Sequence, residues 1–124
     1  MPHIDILADH GGEAGIFTWC LHTDLLYADT TIANLFGIAP SLTIGGLPVT
    51  QYLDRVHPED RATVARLISE AITQGRPYRA EYRVTDAYGM QRDVIAHGRC
   101  FRDKTGVPLH YAGIIHPVQE PARC

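Results

Sequence analysis

Residues 56–75 read Val-His-Pro-Glu-Asp-Arg-Ala-Thr-Val-Ala-Arg-Leu-Ile-Ser-Glu-Ala-Ile-Thr-Gln-Gly. Val64, Leu67, Ile68, Ala71 and Ile72 fall at i, i+3, i+4, i+7 and i+8, one apolar stripe of a helix, while Arg66, Ser69 and Glu70 take the opposite side. The start obeys helix-end chemistry. His57 stands just outside, Pro58 sits where a missing N–H costs nothing, and Glu59 and Asp60 meet the positive end of the helix dipole. Gly75 supplies a C-cap, and Arg76-Pro77 prevents continuation. Every later segment has the pattern of a strand, so this helix must cover a sheet.

Tyr78, Ala80, Tyr82 and Val84 alternate with Arg79, Glu81 and Arg83, the mark of a half-buried strand. Thr85 to Gly89 forms a turn whose glycine is free to take positive φ. Gln91 to Arg102 is a longer strand, with Val94, Ala96, Gly98 and Cys100 on one face and Ile95, His97, Arg99 and Phe101 on the other. Asp103-Lys104-Thr105-Gly106 turns the chain into a last strand, Leu109 to Ile115, and Pro117 and Pro121 forbid a continuous exit helix. Three antiparallel strands in a meander are the simple expectation.

Upstream, Ile16 to Leu21 and Leu25 to Ala28 flank His22-Thr23-Asp24 as a hairpin, the first strand burying Trp19 and the second Tyr27. Asp29, Thr30 or Thr31 can cap a short helix over residues 32–36 that stops at Gly37. Residues 38–48, rich in Gly, Pro, Ser and Thr, are expected as a loop or broken turns. Val49, Tyr52, Leu53 and Val56 have helical spacing and give a second short helix. The order β-β-α-α-α-β-β-β makes an α+β domain: a five-stranded antiparallel sheet, helices on one face, and a cavity between sheet and long helix.

A chain of 124 residues with 45% hydrophobic and 20% charged residues suits one globular domain with its own core. Its formal net charge is −3, and the basic residues are scattered, so the stripe that nucleic acid requires is missing. No run approaches the roughly 18 apolar residues of a membrane span, and Met-Pro-His-Ile-Asp lacks the regions of a signal peptide. A cytoplasmic protein is expected, without nucleic acid or membrane as partner. Cys20, Cys100 and Cys124 form no CxxC pair, so neither a disulfide framework nor a zinc knuckle is indicated.

Together, Gly15-Ile16-Phe17-Thr18-Trp19, Asn34-Leu35-Phe36-Gly37-Ile38, Val56-His57-Pro58-Glu59-Asp60-Arg61, Tyr82-Arg83-Val84, Gly98-Arg99 and Arg102-Asp103-Lys104-Thr105-Gly106 resemble a PAS domain. The nearest subtype is the one whose long helix is introduced by a His-Pro-Glu-Asp-Arg-like signature. The resemblance spans roughly residues 15–118, leaving 1–14 as a lead segment and 119–124 as a tail. It implies strand order 2-1-5-4-3 and a sensory or interaction module that does no chemistry itself. It further implies a homodimer, and a signalling effector such as a histidine kinase or cyclic-dinucleotide enzyme. The flavin-adduct Asn-Cys-Arg motif of blue-light PAS domains is absent, the long helix lacks the histidine of haem-binding relatives, and His116-Pro117-Val118 replaces the usual Asp-Ile-Thr exit.

Two surfaces are candidate sites. A small molecule, whether haem, flavin or a metabolite, would lie between sheet and helices against Trp19, Tyr27, Phe36, Tyr52, Leu67, Ile68 and Tyr82; Arg83 and Arg99 either orient an anion there or lie on the solvated strand face. The sequence names no particular cofactor. A homodimer would use the uncovered sheet face through Ile95, His97, Phe101 and Tyr111, with Leu109 or Ile114 in place of Tyr111 according to register, joined by Ile4, Ile6 and Leu7 of the lead segment. His97, His110 and His116 share one side of the sheet if the last two strands pair, where exposure or a dimer contact suits them better than metal ligation. An enzyme would need a paired acid and base facing the cavity, and no inward strand position offers an Asp or Glu.

Overall fold

The computed structural model describes residues 13–118. Five strands, β1 (Gly15–Cys20), β2 (Leu25–Ala28), β3 (Tyr78–Thr85), β4 (Gln91–Arg102) and β5 (Pro108–Pro117), form one antiparallel sheet in the order β2-β1-β5-β4-β3. Four helices, α1 (Thr30–Phe36), α2 (Pro40–Gly45), α3 (Val49–Leu53) and α4 (Pro58–Gln74), lie between β2 and β3 in the chain. They cover one face of the sheet. The α+β architecture, the strand order and the terminal meander are thus as the sequence leads one to expect. The first strand pairs with the last, from Gly15 opposite Ile115 to Cys20 opposite His110, which joins the two halves of the chain in the middle of the sheet.

The long helix has the ends its sequence dictates. His57 Nδ1 accepts the Glu59 N–H at 3.1 Å, Pro58 occupies the first turn, and Gly75, at φ 70°, closes the helix by donating its N–H to the Ala71 carbonyl. Asp29 proves to be the cap of α1. Its Oδ1 accepts the Ile32 N–H at 3.1 Å, while Oδ2 accepts the Ile16 N–H at 3.0 Å, so one carboxylate both starts the helix and pins it to β1.

Three expectations are corrected. The stretch 38–48 is not a plain loop: Pro40 starts the one-and-a-half-turn helix α2, in which the Thr43 hydroxyl donates to the Pro40 carbonyl and only Thr43 is buried. Val56 does not extend α3 but pairs as an isolated bridge with Val84. Tyr27 is not core. Alternation in β2 turns Leu26 and Ala28 inward, leaving Tyr27 38% exposed, with its ring lying close over Gly46.

The core lies between sheet and helices. Inward residues of β3 (Tyr78, Ala80, Tyr82, Val84) and β4 (Val94, Ala96) meet Ile32, Leu35 and Phe36 of α1, Tyr52 of α3, and Val64 and Ala71 of α4. Burying such side chains contributes on the order of 1.5–3 kcal/mol each.

Candidate functional site

The core encloses a cavity of about 50 Å³. Phe17, Trp19 and Tyr111 supply its sheet wall from β1 and β5; Tyr78 and Tyr82 supply it from β3; Phe36, Val49, Tyr52 and Ile68 close it from the helices. Its aromatic rings are braced against one another. Phe17 and Tyr111 stack at 6.1 Å between ring centres, Tyr78 meets Tyr111 edge-on at 5.6 Å, and Phe36 meets Tyr52 edge-on at 5.9 Å.

Tyr52 gives its hydroxyl proton to the Leu26 carbonyl at 2.9 Å, and burial pushes its phenol up to about 12. Burial also raises the Tyr78, Tyr82 and Tyr111 phenols, so all remain neutral donors. Tyr111 differs from Tyr52 in one respect. Its hydroxyl is buried with no hydrogen-bond partner among the described residues.

Of the residues expected at this cavity, Trp19, Phe36, Tyr52, Ile68 and Tyr82 line it. Leu67 packs against the core without reaching the cavity, and Tyr27 points away. Phe17 and Tyr78 were not among the expected residues. Both are signalled by alternation, two residues before Trp19 and four before Tyr82. Tyr111 was expected on the outer face, and that is corrected: it is 2% exposed and turns inward with Ile115. A cavity this small is far below the roughly 300–1,000 Å³ of ordinary ligand pockets, and its lining has neither histidine nor cysteine. These residues do not fit haem or flavin.

Neither arginine reaches the cavity. The Arg83 guanidinium clasps Asp60 in the first turn of α4, with Nε to Oδ2 at 2.9 Å and Nη2 to Oδ1 at 2.8 Å, and the Arg83 backbone N–H donates to Oδ2 at 3.0 Å. These hydrogen bonds hold the Asp60 carboxyl down to about 2, against the opposing effect of desolvation. Arg83 therefore fastens α4 to β3. Arg99 lies on the face of β4 that the helices leave uncovered.

That outer face is apolar over its middle. Ile16 is 62% exposed, Phe101 53% and Ile114 39%, and they border a shallow depression with His97, Arg99, Ala112 and Pro77. Ile16, Ile114 and His97 form one row across β1, β5 and β4, and Ile95 lies in the neighbouring row opposite His116. Ile95, His97 and Phe101 thus occupy the expected side, whereas Ile4, Ile6 and Leu7 lie outside the described residues. Among the described residues, no three or more His, Cys, Asp or Glu side chains gather as metal ligands, and no helix is long and apolar enough to cross a membrane.

Residues 25–115 match a family model described as the PAS fold. Among solved structures, the N-terminal domain of a diguanylate cyclase with PAS/PAC sensor from Marinobacter aquaeolei is similar at 21% identity and a TM-score of 0.75, over 85% of this chain and 94% of that one. A sensory box histidine kinase/response regulator from Burkholderia thailandensis is similar at 21% identity and 0.73, over 99% and 88%. The PAS domain of a protein from Colwellia psychrerythraea is similar at 18% identity and 0.64, over 93% and 96%. No curated protein matches the sequence.

Proposed function

This chain belongs to the PAS fold family, and from that premise we propose that it is a sensory and signal-transducing module that acts by homodimerisation across the outer face of its sheet. The observation that carries this reading is the uncovered sheet face on which Ile16 and Ile114 share a row with His97, with Ile95 in the next row on one side and Phe101 two rows away on the other, beyond Arg99. Scattered apolar residues on a surface need no explanation, but a contiguous patch on a rigid sheet favours a partner. A specific dimer would bury roughly 1,600 Å² in total. The listener is a signalling effector, a histidine kinase or cyclic-dinucleotide enzyme being the kind found among the similar proteins. The module is read as non-catalytic, as PAS sensory domains generally are, and tyrosines and hydrocarbon line its cavity. Native mass spectrometry of the purified chain tests the reading. A dimer is expected, and a monomer at every concentration accessible to the method overturns it.

A second reading is favoured by the unpartnered Tyr111 hydroxyl. A buried donor without an acceptor costs about 1–3 kcal/mol, and a small, mostly apolar molecule bearing one acceptor would relieve that cost. Such a ligand would make the module a metabolite sensor. The same native spectrum reads it as mass retained beyond that of the chain.

A further inference from the structure

We propose that the cavity is the inner chamber of a larger site for a neutral carbonyl compound with an unbranched alkyl tail, its oxygen at Tyr111 and its tail in a groove between α3 and α4. The inference rests on the metabolite-sensor reading and names the class of molecule that such a sensor takes. The groove has a volume of about 250 Å³. Ala65 and Ile72 of α4 supply its hydrocarbon, with the small polar side chains of Ser69 and Thr73 beside them. Its remaining wall is Trp19, Val49, Leu53 and Ile68, and these same residues also line the cavity. They divide a buried chamber of about 50 Å³ from the groove outside it. Joined, the two chambers reach the roughly 300 Å³ at which ordinary ligand pockets begin, which the cavity alone does not.

The divider is built to part. Helix α3 is tied toward the sheet, by the Val49 N–H to Asp24 Oδ1 at 3.2 Å and by the Tyr52 hydroxyl to the Leu26 carbonyl at 2.9 Å. Among the described residues no hydrogen bond joins α3 to α4, so only dispersion closes the way between them. Trp19 belongs to both ends of that way, since it walls the groove and its ring lies 6.0 Å from that of Tyr111. The chemistry of the ligand follows from the linings. The buried Tyr111 hydroxyl asks for an acceptor. Among the described residues neither chamber is lined by Lys, Arg or His, so a carboxylate would be buried without a counter-charge. A carbonyl oxygen accepts from Tyr111 and brings no donor of its own to be left unpaired. The tail must thread between side chains that nearly meet, which suits an unbranched chain.

NMR titration of the full chain with methyl ethyl, methyl butyl and methyl heptyl ketone tests the site. Affinity is expected to rise about fourfold for each methylene buried in the groove. Tyr111→Phe should weaken every ketone by at least about fivefold. Ser69→Phe and Ala65→Phe fill the groove from exposed positions of α4. In both, the gain with chain length should vanish while methyl ethyl ketone binds as before, and circular dichroism checks that each variant folds. Chain-length dependence that survives both fillings, or its absence in the unaltered chain, overturns the groove; binding of the short ketone through Tyr111 would then still uphold the sensor reading. Absence of binding by any ketone at its solubility limit overturns the proposal outright, and only mass retained in the native spectrum would then keep that reading alive.

Discussion

Gly98 and Gly113 stand opposite each other in the β4–β5 ladder, and each occupies a space that no other residue could share. A Cβ on Gly98 would lie 2.8 Å from Cε1 of Tyr111 and 3.0 Å from the Ala112 carbonyl oxygen, while one on Gly113 would fall on the carbonyl oxygen of His97. The obstacles differ in severity: both positions face a ladder carbonyl, but the overlap at Gly113 is more than an ångström deeper. Gly113→Ala is therefore expected to destabilise the fold by about 1–3 kcal/mol and Gly98→Ala by less. Urea unfolding followed by far-UV circular dichroism measures both. The reverse order would show that the β4–β5 backbone yields more readily than the Tyr111 ring.

Acid should loosen the clasp between Asp60 and Arg83. The Asp60 carboxyl titrates near 2 in the folded chain and near about 4 when unfolded. Its contribution is complete above about pH 4 and is lost as pH falls through about 2. Asp60→Asn should lower the melting temperature at pH 7 and flatten its dependence on pH between about 2 and 4. Parallel pH profiles for both proteins would refute the assignment.

Charge on the outer face should separate the subunits. Ile95→Glu and Ile114→Glu each place a carboxylate in the middle of the apolar patch, where burial against a second copy would strip it of water. Sedimentation equilibrium is expected to give a dimer for the unaltered chain and a monomer for each variant, with unchanged circular dichroism. A dimer that survives both substitutions would move the contact elsewhere.

Removing the Tyr111 hydroxyl distinguishes an unpaired donor from one that finds a partner in solution. Since the group has no acceptor among the described residues, Tyr111→Phe is expected to leave stability unchanged or to raise it by up to about 1 kcal/mol. Thermal unfolding reads the difference. A loss of about 1–3 kcal/mol would reveal that the purified protein supplies an acceptor.

The long helix, the meander and the faces of β3 and β4 were legible because each has many repeats of one period. His57, Pro58 and Gly75 also define the ends of α4 by local chemistry. Where the period was short or shared, legibility failed. Strand β2 has four residues, too few to show in the sequence the alternation that turns Tyr27 outward. Strand β5 carries Tyr111 inward and Ile114 outward, and since both are apolar only the register separates them. Helix α2 buries Thr43 alone and has no apolar stripe to announce it. Arg83 is not legible for another reason: its partner Asp60 is 23 residues away, and a solvated arginine and a clasped one look alike in sequence.

Asp24 leaves the chain with a built-in optical probe. Its Oδ1 accepts both the indole N–H of Trp19, at 2.9 Å, and the backbone N–H of Val49 at the start of α3, at 3.2 Å. Trp19 is the sole tryptophan of the chain and also lines the cavity. Movement of α3 relative to the sheet must therefore alter the polarity around a single fluorophore, so the wavelength of its emission follows the state of the cavity without any added label.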